Sequence, residues 1–174
     1  MILLHYSKYI VAFLLEVIKG GMFMWLKFLA PVMVCMIATS SFAENISPES
    51  VVFKDGAVAA SLIDGLGDPV AGKKTFINRK LGNCLACHVN DDASGQSWHG
   101  VVGPSLNGVA DRWEEADLRG LIINAKMMNE GTIMPAFYSL DIGIRPLKKF
   151  QGKTILSAQQ VEDIVAYLLT LKEN

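Results

Sequence analysis

Six residues, Asn83-Cys84-Leu85-Ala86-Cys87-His88, restrict this chain more than any other stretch. Two thiols three positions apart on one short helical turn can add to the two vinyl groups of a single porphyrin. The histidine directly after the second thiol is then carried beneath the ring plane, where its imidazole takes an axial position on the iron. C-x-x-C-H in this order reads as the attachment site of a c-type haem, with Cys84 and Cys87 as the covalent links and His88 as the proximal ligand.

Cysteine usage narrows the alternatives. The chain holds three cysteines, and Cys35 falls in a segment expected to be removed. Cys84 and Cys87 then remain, with His88 and His99 as the histidines of the mature part. Structural zinc needs four ligands from closely spaced pairs, and a second pair is missing. A thioredoxin-like C-x-x-C needs a βαβ setting, and no strand pattern flanks this one. A plain disulfide stays open, with His88 then a coincidence.

The compartment follows from residues 24–43. Lys27 supplies a positive start, Phe28 to Ala38 an apolar run, and Ser41-Phe42-Ala43 small residues at the two positions a signal peptidase reads, so cleavage is expected after Ala43. Cys35 lacks the small residues that precede a lipoprotein cysteine. An uncleaved anchor competes with this reading, but the run is short for a span. Residues 1–23 read as an over-extended start, with translation beginning at Met22 or Met24. Export to the periplasm agrees with the motif, because haem is attached to C-x-x-C-H outside the cytoplasm. From Glu44 onward, 13 Lys and Arg face 16 Asp and Glu, a formal charge of −3. That balance argues against nucleic acid or an anionic membrane as the main partner.

The mature chain reads as an N-terminal arm, 44–67, followed by one domain, 68–174. In the arm, Ser47-Pro48-Glu49 resembles a helix start and Gly65-Leu66-Gly67 a break; the arm is expected to be loose or packed on a partner. Asp68-Pro69 opens a helix expected to run to Leu81 and to stop at Gly82. A glycine inside a helix costs about 1 kcal/mol against alanine, so Gly72, one turn from Phe76, predicts a backbone crossing closely there. The crossing element is the last helix, where Ser157 to Gln160 form a capping box and Val161, Ile164, Val165, Leu168 and Leu171 follow at helical spacing. Glu114, Glu115 and Asp117 suit the first turn of a third helix, with Leu118, Leu121, Ile122 and Ala125 as its buried stripe. No run alternates like a strand, so the fold class is all-α. Two terminal helices crossing at a small residue beside an aromatic is how class I cytochromes c close their fold; any two amphipathic helices in a small bundle would also meet the pattern.

Two further positions bear on the iron. Met134 stands in Gly131-Thr132-Ile133-Met134-Pro135-Ala136-Phe137, where Pro135 fixes the chain just past it. A thioether on such a pinned loop would cap the iron opposite His88 and raise its potential. Met127 and Met128 read as core filler, and His99 as a loop or surface residue. In Gly103-Pro104, the Pro104 carbonyl would accept the His88 imidazole proton and fix its tautomer; a bare Gly-Pro turn explains it equally well. Arg145, Lys148, Lys149 and Lys153 form either a docking patch or a solvated basic face.

Taken together, three stretches resemble the SoxX family, the monohaem subunit of the SoxAX cytochrome. They are Gly72 through His88, then Val102-Gly103-Pro104-Ser105-Leu106, and Thr132 through Phe137; Arg145 to Leu156 and Val161 to Leu168 fit the same family. The resemblance covers roughly Asp68 to Leu171. It implies a class I cytochrome c fold of about four to five helices around one covalently bound haem c, with an N-terminal extension. It implies a SoxA-like cytochrome subunit as heterodimer partner and periplasmic sulfur oxidation. In that reaction SoxAX, an L-cysteine S-thiosulfotransferase, oxidatively conjugates thiosulfate to a cysteine of the carrier SoxYZ, and electrons pass on to a downstream acceptor cytochrome. Carried onto this chain, Cys84 and Cys87 are the thioether links and His88 and Met134 the axial ligands. No catalytic residue falls here, because the thiol chemistry belongs to the partner. The alternative is a free-standing periplasmic cytochrome c that shuttles electrons to a terminal oxidase. A ligand sensor would require Met134 not to ligate.

Overall fold

α1 (Pro69–Ile77) starts as the sequence dictates: Asp68 caps it by accepting the Val70 amide at 2.8 Å, and Pro69 occupies the first turn. The computed structural model describes residues 45–173. The leader reading, residues 1–43 with Cys35 and the cleavage after Ala43, and Glu44 lie outside the described residues. α2 (Glu115–Asn124) and α3 (Ala158–Leu168) follow, both opened by capping boxes, from Glu114 with Asp117 and from Ser157 with Gln160. The remaining helical pieces among the described residues are short 3₁₀ turns, and the one β-bridge, Lys54 to Ala57, belongs to no strand. No described helix is long and apolar enough to cross a membrane.

α1 ends four residues earlier than its pattern suggests. Asn78 leaves the helical region, and its side chain accepts the Lys80 amide at 2.9 Å while its carbonyl accepts from Leu81 and Asn83. A local Asn side-chain bond competes with helix continuation, and here it turns the chain directly into the cysteine motif.

The helices pack as the glycine predicts. A Cβ on Gly72 would collide with the Asp163 carbonyl of α3, so α1 and α3 cross backbone to backbone. Phe76 and Tyr167 lock the crossing edge to face, with ring centroids 5.4 Å apart. Val161, Ile164, Val165, Leu168 and Leu171 are all buried, and α2 buries Leu118, Ile122 and Ile123; Leu121, expected in that stripe, is half-buried.

The arm departs from expectation. It is neither loose nor left over for a partner: Leu62 is 0 % and Val58 2 % exposed, both in the core shared with the helices. A tight turn at Asp55 and Gly56, both at positive φ, closes with paired bonds between Lys54 and Ala57. It seats the Gly56 carbonyl where a Cβ on Gly120 would stand. The polar fastening is a buried ion pair. Arg119 of α2 and Glu162 of α3 meet at 2.8 Å, each at most 5 % exposed through its side chain. Glu162 also accepts the Leu62 amide, and Arg119 donates to the Val58 carbonyl. Desolvation works against the Arg119 charge, but the carboxylates of Glu162 and Glu115 outweigh it and raise its pKa. Asp163, 5 % exposed, accepts the Asp68 amide at 2.8 Å.

Candidate haem site

The attachment turn is built by three local devices. Asn83 adopts a left-handed conformation, φ 50, which asparagine tolerates better than most residues. Cys84–Ala86 then form a 3₁₀ turn, and the Cys84 carbonyl accepts from both the Cys87 and His88 amides. Leu85 points into the core at 6 % exposure and so anchors the turn with the flanking thiols half-buried. Both are unpaired. Burial pushes the Cys84 thiol up to about 12.

His88 is oriented from the segment 100–106. Gly100 and Gly103 donate to the carbonyls of Leu85 and Cys87, and Leu106 to that of Val89, all at 2.8–2.9 Å. Side chains are excluded at both glycines: a Cβ at 100 would strike the Ala86 carbonyl, and one at 103 the His88 ring. This close seam places the Pro104 carbonyl 2.7 Å from His88 Nδ1. A carbonyl can only accept, so Nδ1 carries the proton and Nε2 is the nitrogen left for a metal. The Gly-Pro pair is therefore more than a turn.

Met134 is half-buried against the same core that Cys84 and Leu106 border. Its amide donates to Thr132 Oγ1 at 3.2 Å, and its carbonyl accepts from Lys126 Nζ at 3.4 Å. Just beyond Pro135, the Phe137 and Tyr138 amides bond to the Ile122 and Ile123 carbonyls of α2. The loop is thus held from both sides, as its sequence suggests. The other methionines do not serve as core filler alike: Met127 is 52 % exposed, and Met128 lies under the turn at Gly56.

Both nitrogens of His99 are engaged within its own loop. Nδ1 accepts the Asn90 amide at 3.3 Å, so Nε2 carries the proton and donates to the Ala93 carbonyl at 3.2 Å. That leaves no lone pair for a metal.

A network escaped the sequence reading. Asn90, 0 % exposed, donates to Tyr167 Oη at 2.9 Å; Tyr167 donates to Asp92 at 2.6 Å; Asp92 pairs with Lys73 at 2.8 Å. It ties the segment after His88 to both crossing helices. Burial and the Asp92 carboxylate raise the Tyr167 pKa, while hydrogen bonds from Lys73 and Tyr167 lower that of Asp92. The available signal was a tyrosine inside the α3 stripe, whose hydroxyl needs a partner when buried.

An open cleft of about 410 Å³ lies against the peptide between the cysteines, with Ile77, Asn83, Leu85 and Trp98 among its walls. Cys84, Cys87, His88 and Met134 do not line it.

The residues present fit a covalent haem: two unpaired thiols on one 3₁₀ turn, a histidine with its tautomer set, and a methionine on a pinned loop. The cytochrome c family model matches residues 69–172. A search of curated proteins finds no match. Among solved structures, the crystal structure of SoxXA from P. pantotrophus contains a chain 46 % identical to this one, at a TM-score of 0.69. The match covers 74 % of this chain and 99 % of that one. Fold, motif and both comparisons agree: the chain belongs to the cytochrome c family, with the all-α class I fold, and is a SoxX-like cytochrome.

Proposed function

We propose that this chain is the electron-accepting subunit of a SoxXA-type complex, exported by its leader and working in the periplasm. The observation that carries the reading is 46 % identity over 99 % of a chain in a SoxXA structure. Cys84 and Cys87 would hold one haem as thioethers, and His88 Nε2 and the Met134 sulfur would be its iron ligands. The haem, when bound, supplies a one-electron Fe(III)/Fe(II) couple. The chain's own residues make that couple suitable for electron uptake. Pro104 fixes the His88 tautomer and increases the basicity of Nε2. Met134, as a thioether ligand, would favour the reduced state.

Joining thiosulfate to a carrier cysteine on SoxYZ forms a sulfur–sulfur bond and releases two electrons and the thiol proton. The described residues supply no thiol beyond Cys84 and Cys87, both assigned here to the haem, so the bond-forming step falls to a SoxA-type partner. This chain takes up the electrons one at a time and passes each to an acceptor cytochrome. A free-standing shuttle is the competing reading, favoured to one extent: residues 45–67 pack on their own core and leave no separate arm for a partner.

Isolation of the tagged full-length chain from periplasm separates the two. A haem-containing SoxA-type subunit co-eluting in equal amount supports the complex; recovery of the chain alone with its haem supports the shuttle. On the same material, Met134→Ala converts a low-spin spectrum to a high-spin one and lowers the potential. An unchanged spectrum removes Met134 from the iron.

A further inference from the structure

Between Phe137 and Leu156 the chain makes an excursion. It is closed at its base by the Phe137 carbonyl, which accepts from both Ile155 and Leu156 at 2.9–3.0 Å. None of residues 139–155 is buried, and the only helical piece is the single 3₁₀ turn Lys148–Phe150. Long loops without structure of their own are uncommon in compact domains and usually carry function. This one turns large aliphatic side chains outward: Ile144 is 99 %, Leu147 66 % and Leu140 42 % exposed.

Its charge is the reverse of the rest. From Ile142 to Val161 there are four cations, Arg145, Lys148, Lys149 and Lys153, and no acid. The remainder of residues 44–174 carries 9 Lys and Arg against 16 Asp and Glu. Position matters as well. Lys149 Nζ donates to the Lys80 carbonyl at 3.2 Å, which seats the loop on the segment leading into Cys84 and adds Arg79 and Lys80 to the basic ground.

We infer that the 139–155 loop is the surface on which the SoxA-type partner subunit docks, its aliphatic residues entering apolar sockets framed by carboxylates. This inference rests on the proposed complex. Three features favour a lasting protein partner. Exposed aliphatic side chains at the centre of a patch suit a permanent interface better than a passing encounter. A basic rim on an otherwise acidic chain selects an acidic counterpart and orients it. A stable interface engages about 20–30 residues a side, and the loop with its neighbours at 79 and 80 provides most of that. An anionic membrane is the weaker alternative, since a single 3₁₀ turn has no amphipathic helical face to insert.

The test uses the haem-loaded chain and the purified, cofactor-loaded SoxA-type subunit of the same organism, with affinity measured by calorimetry. The wild type binds. Ile144→Asp with Leu147→Asp weakens binding by about tenfold or more, while the visible spectrum stays that of the wild type. Arg145→Glu with Lys148→Glu and Lys153→Glu slows association and removes most of its salt dependence. Val52→Asp, at an exposed position of residues 45–67, leaves affinity unchanged. Should the double variant fail to fold, Ile144→Ser carries the same expectation with a smaller loss. Wild-type binding with both loop variants within about twofold of it, or an equal loss from Val52→Asp, overturns the docking surface and leaves the complex standing. Absence of wild-type binding overturns the complex and the surface with it. Loop variants that bind the subunit normally but lose co-sedimentation with phosphatidylglycerol vesicles overturn the surface in favour of a membrane.

Discussion

Residues 45–67 and residues 139–155 are both irregular, and both carry aliphatic side chains among polar ones, yet they behave as opposites. Leu62 in the first is 0 % exposed, and Ile144 in the second is 99 % exposed. The difference lies in where the backbone finds its partners. In the first segment the Leu62 amide bonds to Glu162, the Val58 carbonyl to Arg119, the Val58 amide to the Ala116 carbonyl, and the Ile46 carbonyl to Tyr138 Oη. In the second, Ser139 and Asp141 bond to each other, Gly143 to Asp141, and Phe150 to Leu147. Apolar content does not decide which irregular segment joins a core. Buried polar groups on the neighbouring helices do, by satisfying a backbone that would otherwise lose its water.

The largest test of that contrast is removal of one buried partner. Glu162→Ala leaves the buried Arg119 charge with the exposed Glu115 carboxylate alone and strands the Leu62 amide, at sites under 5 % exposed, and should cost about 3–5 kcal/mol in urea unfolding. Arg119→Met combined with Glu162→Leu should cost much less than the single change, because no charge is then left unpaired. A loss below about 1 kcal/mol for Glu162→Ala would mean that the first segment is held by apolar contact alone, and the contrast would fail.

Gly120→Ala comes next, and its sign is the measurement. In an open helix this change stabilises by about 1 kcal/mol. Here the new Cβ meets the Gly56 carbonyl, so either residues 45–67 shift or α2 does, and about 1–3 kcal/mol of stability is lost. A stabilised variant would show that the turn at Asp55 and Gly56 is not pressed onto α2.

How much of this was legible in the sequence follows the same division. The motif Cys84 to His88, the acidic start of α2, the capping box at Ser157 and the crossing at Gly72 were readable because each rests on spacing within a few residues. The Asp55-Gly56 turn was also local, and its hairpin signal was available. The Arg119–Glu162 pair was not, since charged residues at helix positions ordinarily face water, and only the fold brings residues 43 positions apart together. The same holds for Asn90, whose burial depends on Tyr167 arriving from the far end of the chain. The end of α1 at Ile77 was missed for the opposite reason, a side-chain bond at Asn78 too local to disturb the apolar pattern.

A third irregular segment, residues 89–102, lies between the two extremes, and its polar fastening is open to water. Lys73 and Asp92 are 41 % and 46 % exposed through their side chains. The bonds from Lys73 and Tyr167 hold the Asp92 carboxyl below its ordinary 3.8. A depressed carboxylate contributes stability that is present above its unfolded value and lost as pH falls through the folded one. Asp92→Asn should therefore cost about 0.2–1 kcal/mol at pH 7, screened as an exposed pair is. The cost should be smaller at low pH, where protonation of the wild-type carboxyl removes that contribution. An equal loss at both pH values would assign the effect to packing of the segment and not to the ion pair.

The smallest expected effect closes the contrast from its other side. Because nothing between residues 139 and 155 is buried, Ile144→Ser and Leu147→Ser should change the unfolding free energy of the isolated chain by less than about 0.5 kcal/mol. Leu62→Ala, by comparison, should cost about 2–5 kcal/mol. Aliphatic side chains that do nothing for their own domain keep their apolar surface in water for some other contact. Urea unfolding of the haem-loaded chain measures both values under one condition. A loss above about 1 kcal/mol for Ile144→Ser would show that the loop folds back onto its domain in solution, and the lack of any buried side chain that sets it apart from residues 45–67 would be gone.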